Sequence, residues 1–329
     1  MFVFILSALS IRKTFRPNHC IDADLIYNED YFRIENYPMP FEVFQFSDNN
    51  GYAGKGHFSV VRKAKLADGR MVAVKEYKIF SRNSLIRELK ILNALKDVPN
   101  TIKLIGITGN ETNPTVVYSF HNSTKNGFDN ITKENFKWYV YQLLKTLSSI
   151  HKKGILHRDV KLGNILADFN THEFTLIDFG CADFNRMSIK KNPKMGCIRL
   201  KSPELVIDYP YFDCATDIWA AGIACLDIII GLSSYWESKD ADGMLQLIVN
   251  HFGSEKWNNF ANRYNRNYLV SSKHNGDIFE FAVPANQHLI DPLILDLIDK
   301  LLTIDPCERI TAEEALQHPY FNDLNKMYK

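Results

Sequence analysis

Apolar residues recur along the chain with two different periods, and the change falls near residue 132. In residues 132–153, Phe136, Tyr139, Val140, Leu143, Leu144, Leu147 and Ile150 follow one another at steps of one and three, which puts them on one face of a helix. Gly154 follows, where a left-handed cap would end that helix. Ahead of it the pattern is mostly strand-like: residues 44–46, 58–64 and 71–77, with the turn signal Asp68-Gly69 between the last two. Residues 83–96 interrupt the strands with a helical pattern built on Leu85, Ile86, Leu89, Leu92 and Leu95. Two more strands are expected at 102–108 and 115–120, with Asn110 and Asn113-Pro114 in the turn between them.

Beyond residue 132 the chain reads as mainly helical, with short strands at 165–167 and 174–177. Residues 218–231 are apolar but too short for a membrane span and include Asp227, so they are expected to form a buried core helix. A polar, aromatic-rich connection is expected over 233–284, then helices at 292–302 and 312–318. The fold class is therefore α+β: a little-periodic tail over 1–43, a small β-rich lobe with one main helix over 44–121, and a larger, mainly helical lobe over 122–325. The two lobes should meet near residues 119–123 and leave a cleft.

At 329 residues the chain is long enough for two lobes and a large core. A formal net charge of +1 carries no polybasic signal for nucleic acid or membrane. Six cysteines are scattered without metal-binding spacing, so reduced thiols in an intracellular protein are expected, with neither disulfide nor structural metal. The apolar run at residues 2–6 resembles part of a signal peptide. Its basic neighbours Arg12 and Lys13 follow rather than precede it, so residues 1–9 are expected to be a packed or frayed tail.

The chemistry concentrates in His157-Arg158-Asp159-Val160-Lys161-Leu162-Gly163-Asn164, directly after the 132–153 helix. Phosphoryl transfer suits this octet. Asp159 can accept the proton of an attacking hydroxyl, Lys161 can neutralise a transferring phosphate, and Asn164 can hold a metal ion. Asp178, in Asp178-Phe179-Gly180, supplies a second oxygen ligand at a strand end. Gly54-Lys55-Gly56-His57-Phe58-Ser59-Val60-Val61 lies between strand candidates, and glycines there let backbone amides approach phosphate oxygens. Lys75 ends the apolar strand Val72-Ala73-Val74, and Glu88 on the next helix is its expected partner. Glu204 is expected to pair with Arg309, and Asp217 to cap the loop around His157 and Arg158.

In order and spacing these motifs resemble the eukaryotic protein kinases over about residues 44–322. That resemblance implies the bilobal kinase fold, with ATP and Mg2+ as cofactors. It implies ATP binding by Ala53, Gly54, Lys55, Gly56, His57, Phe58, Ser59, Val60, Val61 and Lys75, and by backbone groups around Ser119 and His121. It further implies that Asp159 is the base, Lys161, Lys75 and Glu88 complete the catalytic set, and Asn164 and Asp178 hold the metal. Lys161, two places after Asp159, is similar to serine/threonine kinases.

Within that family the chain is most similar to the catalytic subunit of casein kinase II. Ser59 in place of a third glycine carries the likeness, as do Arg87-Glu88-Leu89-Lys90-Ile91-Leu92, Asn286-Gln287-His288-Leu289 and the ending His318-Pro319-Tyr320-Phe321. Phe179 stands where that subunit usually has Trp, and its dense lysine run before the first helix is replaced by Lys78, Arg82, Arg87 and Lys90. The likeness implies acidic Ser/Thr substrates, independence from activation-loop phosphorylation and a dimeric regulatory subunit. Residues 185–201 contain six cations (Arg186, Lys190, Lys191, Lys194, Arg199 and Lys201) and no anion. Such a field should attract acidic peptide, and Lys194, Arg199 and Lys201 are the expected substrate contacts. The competing readings are a proline-directed kinase of a neighbouring group and a pseudokinase scaffold.

Overall fold

The computed structural model describes residues 20–327 apart from 36, 49–50, 57–58, 124–127, 129–130, 232–235 and 265–281. Strands β1 (Phe46–Asp48), β2 (Tyr52–Lys55), β3 (Ser59–Leu66), β4 (Met71–Tyr77), β5 (Leu104–Gly109) and β6 (Pro114–Ser119) form one antiparallel sheet. Its order is β1-β3-β4-β6-β5, with β2 also paired to β3. The period of two sorts this sheet into faces. Val72, Val74 and Val117 join Ala64 and Leu66 in a small outer cluster, whereas Ala73, Val116 and Tyr118 turn toward the main core. Against that inner face lies α1 (Arg82–Ala94), which buries Leu85, Ile86, Leu89 and Leu92 and also Glu88.

The second lobe is built on two helices. In α2 (Lys133–His151) the expected apolar face is buried, and Thr132 caps its start by accepting the amide of Asn135 at 3.2 Å. Gly154 sits at φ 66° beyond its end, where an added Cβ would come within 3.0 Å of Ala23. All fifteen residues of α3 (Ala215–Ile229) are buried, as befits a helix that is apolar apart from Thr216, Asp217 and Asp227. Short pairs β7 (Ile155–Leu156) with β10 (Asp183–Phe184), and β8 (Ile165–Asp168) with β9 (Glu173–Leu176), flank the loops at 157–164 and 177–182. The bilobal α+β arrangement is thus present. Among the described residues no helix is long and apolar enough to cross a membrane.

Three expectations need correction. The glycine-bearing segment before Ser59 is a strand, β2, because its backbone pairs with β3 whatever its side chains are. Within 233–284, read as a connection, stand α4 (Ala241–Phe252) and α5 (Ser254–Arg263); residues 265–281 of that stretch lie outside the described residues. Asp240 caps α4 at the amide of Gly243, Met244, Leu245, Ile248 and Val249 form its buried stripe, and Gly253 at φ 88° divides it from α5. Finally, Cys20 and Cys214 are joined as a disulfide, with their Cα atoms 5.4 Å apart. Folding brings together two cysteines that sequence spacing keeps 194 residues apart.

Of the tail, residues 1–19 lie outside the described residues, whereas 20–34 form a strap across both lobes. Ala23 donates its amide to the Asn185 carbonyl at 2.8 Å, and Arg186 binds Asp24 at 2.7 Å and Glu29 at 2.5 Å. On the other side, the Tyr31 hydroxyl donates to the Lys90 carbonyl of α1, and the Lys90 ammonium donates back to the carbonyls of Tyr31 and Arg33.

The base of the large lobe holds two buried acids of opposite character. Glu204 meets Arg309 through both guanidinium nitrogens at 2.9 and 3.0 Å, and Arg309 also donates to the carbonyls of Thr303, Ile304 and Ala215. That pair is fully satisfied. The Asp213 carboxylate accepts the amide of Ala215 through Oδ1, and its Oδ2 has no partner. Burial, reinforced by the charge of Glu204 and opposed by the Ala215 amide, Lys191 and Arg309, pushes its carboxyl up to about 7. A carboxyl raised in the folded state stabilises fully below about pH 4, and that contribution is lost as pH rises toward 7, on the order of 4 kcal/mol in all. Asp213→Asn should therefore gain stability relative to the parent between about pH 4.5 and 8 in urea unfolding. A difference that stays constant with pH would contradict this.

Candidate active site

Lys75 is placed by register: on β4 it stands opposite Val61 of β3 and Val116 of β6, at the inner end of the β2–β3 hairpin. Its ammonium lies 2.9 Å from Oδ1 of Asp178 and 3.5 Å from Oε1 of Glu88. Burial pulls Lys75 down, but Glu88, Tyr77 and Asp178 outweigh it and hold the group well above the ordinary lysine range. Asp178 feels burial upward and Lys75 downward, and Lys75 prevails. These two charges therefore sustain each other in the cleft.

The octet occupies the turn after β7. Asp159 is buried, and its Oδ2 accepts from Nζ of Lys161 and Nδ2 of Asn164, both at 2.7 Å. Oδ1 of Asp159, equally buried, has no partner. Asn164 also donates to the Asp159 carbonyl at 2.8 Å, so the amide is fixed with its nitrogen toward Asp159. Burial lowers the Lys161 ammonium and Asp159 more than offsets it, leaving the group raised. The site thus gathers a carboxylate with one free oxygen, two ammonium groups and two oxygen donors suited to a hard cation.

Two residues here have left-handed backbone without being glycine: Arg158 at φ 68° and Asp178 at φ 61°. Each such conformation costs about 1–3 kcal/mol and needs support from its surroundings. For Arg158 the support is Asp217 at the start of α3. Asp217 accepts the amides of His157 and Arg158, each at 2.8 Å, and Nε2 of His151 at 3.0 Å. Burial raises Asp217, but these partners more than reverse it and hold the carboxylate below its usual range. His157 in turn reaches the Ile177 carbonyl at 3.0 Å and meets the Phe179 ring edge-on, bracing the segment that ends at Asp178.

The glycine hairpin brings Ala53, Gly54, Ser59, Val60 and Val61 onto the strands beside Lys75. The Gly56 amide donates to the Ser59 carbonyl at 2.9 Å. Gly54 has open space where a Cβ would point. Lys55 lies on β2, opposite Val60, and His57 and Phe58 lie outside the described residues. At the end of β6, Ser119 shares a hydrogen bond with Nε2 of His121 at 2.9 Å, and Nδ1 of that ring meets Thr175 at 3.1 Å. This ties the connection between the lobes to the β8–β9 hairpin.

The basic segment is rearranged relative to expectation. Arg199 binds buried Asp227 through both guanidinium nitrogens, and Lys201 is buried with its ammonium on the Pro193 carbonyl at 2.6 Å. Lys191 is turned inward onto the Phe212 carbonyl at 2.9 Å, and Arg186 serves the strap. Only Lys190 and Lys194 of the six cations are exposed. Arg199 and Lys201 are thus held by internal acceptors that have no marker in a local charge pattern. Sequence reasoning also missed Asp183, which binds Arg158 at 2.8 Å, and the tyrosines Tyr77 and Tyr118, which both reach Glu88. Strand parity offered a signal for the tyrosines, since Tyr77 shares a face with Lys75.

The family model described as protein kinase domain matches residues 48–321, well over half of the chain.

Asp217 generates a direct prediction. Asp217→Asn sets a donor against backbone amides, so it should lower unfolding stability at pH 7 by about 2–4 kcal/mol. A depressed carboxylate stabilises above its unfolded pKa of about 3.9 and loses that contribution as pH falls through its folded value. The gap between variant and parent in denaturant unfolding should therefore shrink below about pH 4. A gap that widens there would contradict the assignment.

Proposed function

The chain belongs to the protein kinase family, and we propose that it is a serine/threonine kinase of the casein kinase II type, acting on Ser/Thr in acidic sequence contexts. Family membership makes it an ATP-dependent protein kinase with protein substrates, and the family uses Mg2+ with ATP. The observation that carries the catalytic assignment is Asp159. One of its oxygens is fixed by Lys161 and Asn164, while the other is buried and unpartnered, where a substrate hydroxyl would place its proton.

Asp159 orients the hydroxyl and takes its proton as the oxygen attacks. Lys161, already in contact with Asp159, offsets charge on the transferring phosphoryl. Lys75, steadied by Glu88, holds the nucleotide phosphates, and the β2–β3 hairpin offers backbone amides above them. Asn164 and Asp178 would hold Mg2+, which when bound neutralises phosphate charge; their oxygens are of the type it selects. Ser119 and His121 lie on the segment that would meet the adenine.

Independence from activation-loop phosphorylation is supported by the state of the basic groups. Arg158 has Asp183 and the Asn192 carbonyl as partners, and Arg186, Lys191, Arg199 and Lys201 are likewise neutralised or bonded internally. No phosphate is needed to satisfy them. Ser188 is the only hydroxyl residue between Asp178 and Lys201. Acidic selectivity falls mainly to exposed Lys194, together with exposed Lys190. A dimeric regulatory subunit belongs to the same proposal.

Asp159→Asn should lower turnover on a Ser/Thr peptide by about 10²–10⁴ with nucleotide affinity unchanged; near-full turnover would overturn the base assignment. Steady-state comparison of peptides rich in Ser-Asp-Asp-Glu with Ser-Pro peptides should favour the former. Lys194→Glu should then raise the peptide KM several-fold and leave the ATP KM alone. Preference for Ser-Pro, or an effect confined to ATP, would remove the acidic-substrate proposal.

A further inference from the structure

Glu88 is 3% exposed, and both of its oxygens need donors inside the protein. Lys75 supplies little of this: at 3.5 Å from Oε1 its ammonium stands farther from Glu88 than from Asp178. Two phenols do the rest. Tyr118 donates to Oε1 at 2.7 Å and Tyr77 donates to Oε2 at 3.1 Å. The register explains the convergence: Tyr77 is two residues beyond Lys75 on β4, Tyr118 pairs with Ala73 on the other side, and all face α1.

We infer that Tyr77 and Tyr118 are positioning residues for nucleotide binding, their hydroxyls fixing the Glu88 carboxylate and thereby leaving Lys75 turned toward the triphosphate. The inference rests on the proposal that Lys75 binds nucleotide phosphate. The phenol shares, at 2.7 Å, the oxygen that Lys75 reaches only at 3.5 Å, so the ammonium lies nearer Asp178, on the cleft side. Burial first, and then the charge of Glu88, hold both phenols above the ordinary tyrosine range, so they stay protonated donors wherever the protein is folded. Gly180 closes the arrangement from below, since a Cβ there would stand 3.5 Å from Oε2 of Glu88.

The test is Mg·ATP affinity by calorimetry, without peptide, for the full chain and for Tyr118→Phe, Glu88→Ala and the double variant. Hydrogen bonds to charged groups predict that Tyr118→Phe weakens nucleotide binding about tenfold. The peptide KM should not move. In the Glu88→Ala background the same change should cost less than about twofold, because the phenol acts through that carboxylate. A loss of equal size in both backgrounds, or a Tyr118→Phe affinity within about twofold of the parent, overturns the inference. If melting shows Tyr118→Phe to be unfolded, Tyr77→Phe carries the same expectations. A parent that binds no nucleotide overturns the proposed function and this inference together, whereas a parent that binds with an unaffected Tyr118→Phe overturns this inference alone.

Discussion

A charge inside a protein must meet an opposite charge or a full set of donors, and the cleft is assembled around that constraint. Lys75 can be ionised beneath the sheet because Glu88 comes from α1 and Asp178 from the end of the β9 segment. The three residues belong to distant parts of the chain, so satisfying one ammonium fixes a strand, a helix and a loop against one another. Asp159 with Lys161 and Asn164 repeats the device within six residues. Glu204 with Arg309 repeats it deep in the large lobe, where it anchors the start of α3.

The second constraint is strain. Arg158 and Asp178 both have left-handed backbone, the first directly before Asp159 and the second against Lys75. What maintains them is not local. Asp217 projects from a helix whose every residue is buried, so its two contacts to the His157 and Arg158 amides tie the loop to the core of the large lobe. The loop's chemistry thus depends on a helix that contributes nothing to it directly. The strap at residues 20–34 acts similarly at longer range, bonding α1 on one side and Asn185 and Arg186 on the other.

Much of this was legible before any coordinates. A 3.6 period over 132–153 gave α2, strand parity gave most of the sheet, and the two-lobed α+β class followed. The ion pair Lys75–Glu88 was readable because a charge ending an apolar strand announces a missing partner, and Glu204–Arg309 was also expected. Features whose signal lies in neither period nor local charge escaped. Strand β2 is made of backbone pairing. Helices α4 and α5 carry polar faces that mask their apolar stripes within a polar, aromatic-rich stretch. Cys20 and Cys214 meet only through folding, and the inward turn of Arg199 depends on Asp227, whose presence in an apolar helix does not say which cation it meets. The tyrosines on Glu88 needed the register of two strands at once.

The central claim is that residues 75, 88, 159, 164 and 178 converge on one metal-bound triphosphate. A crystal structure with magnesium and a non-hydrolysable ATP analogue tests it most directly. The account predicts side-chain oxygens of Asn164 and Asp178 on the metal, Nζ of Lys75 on a phosphate oxygen, and the Asp159 carboxylate on the γ-phosphate side of the nucleotide. A triphosphate bound away from Lys75, or a metal held without Asp178, would contradict it.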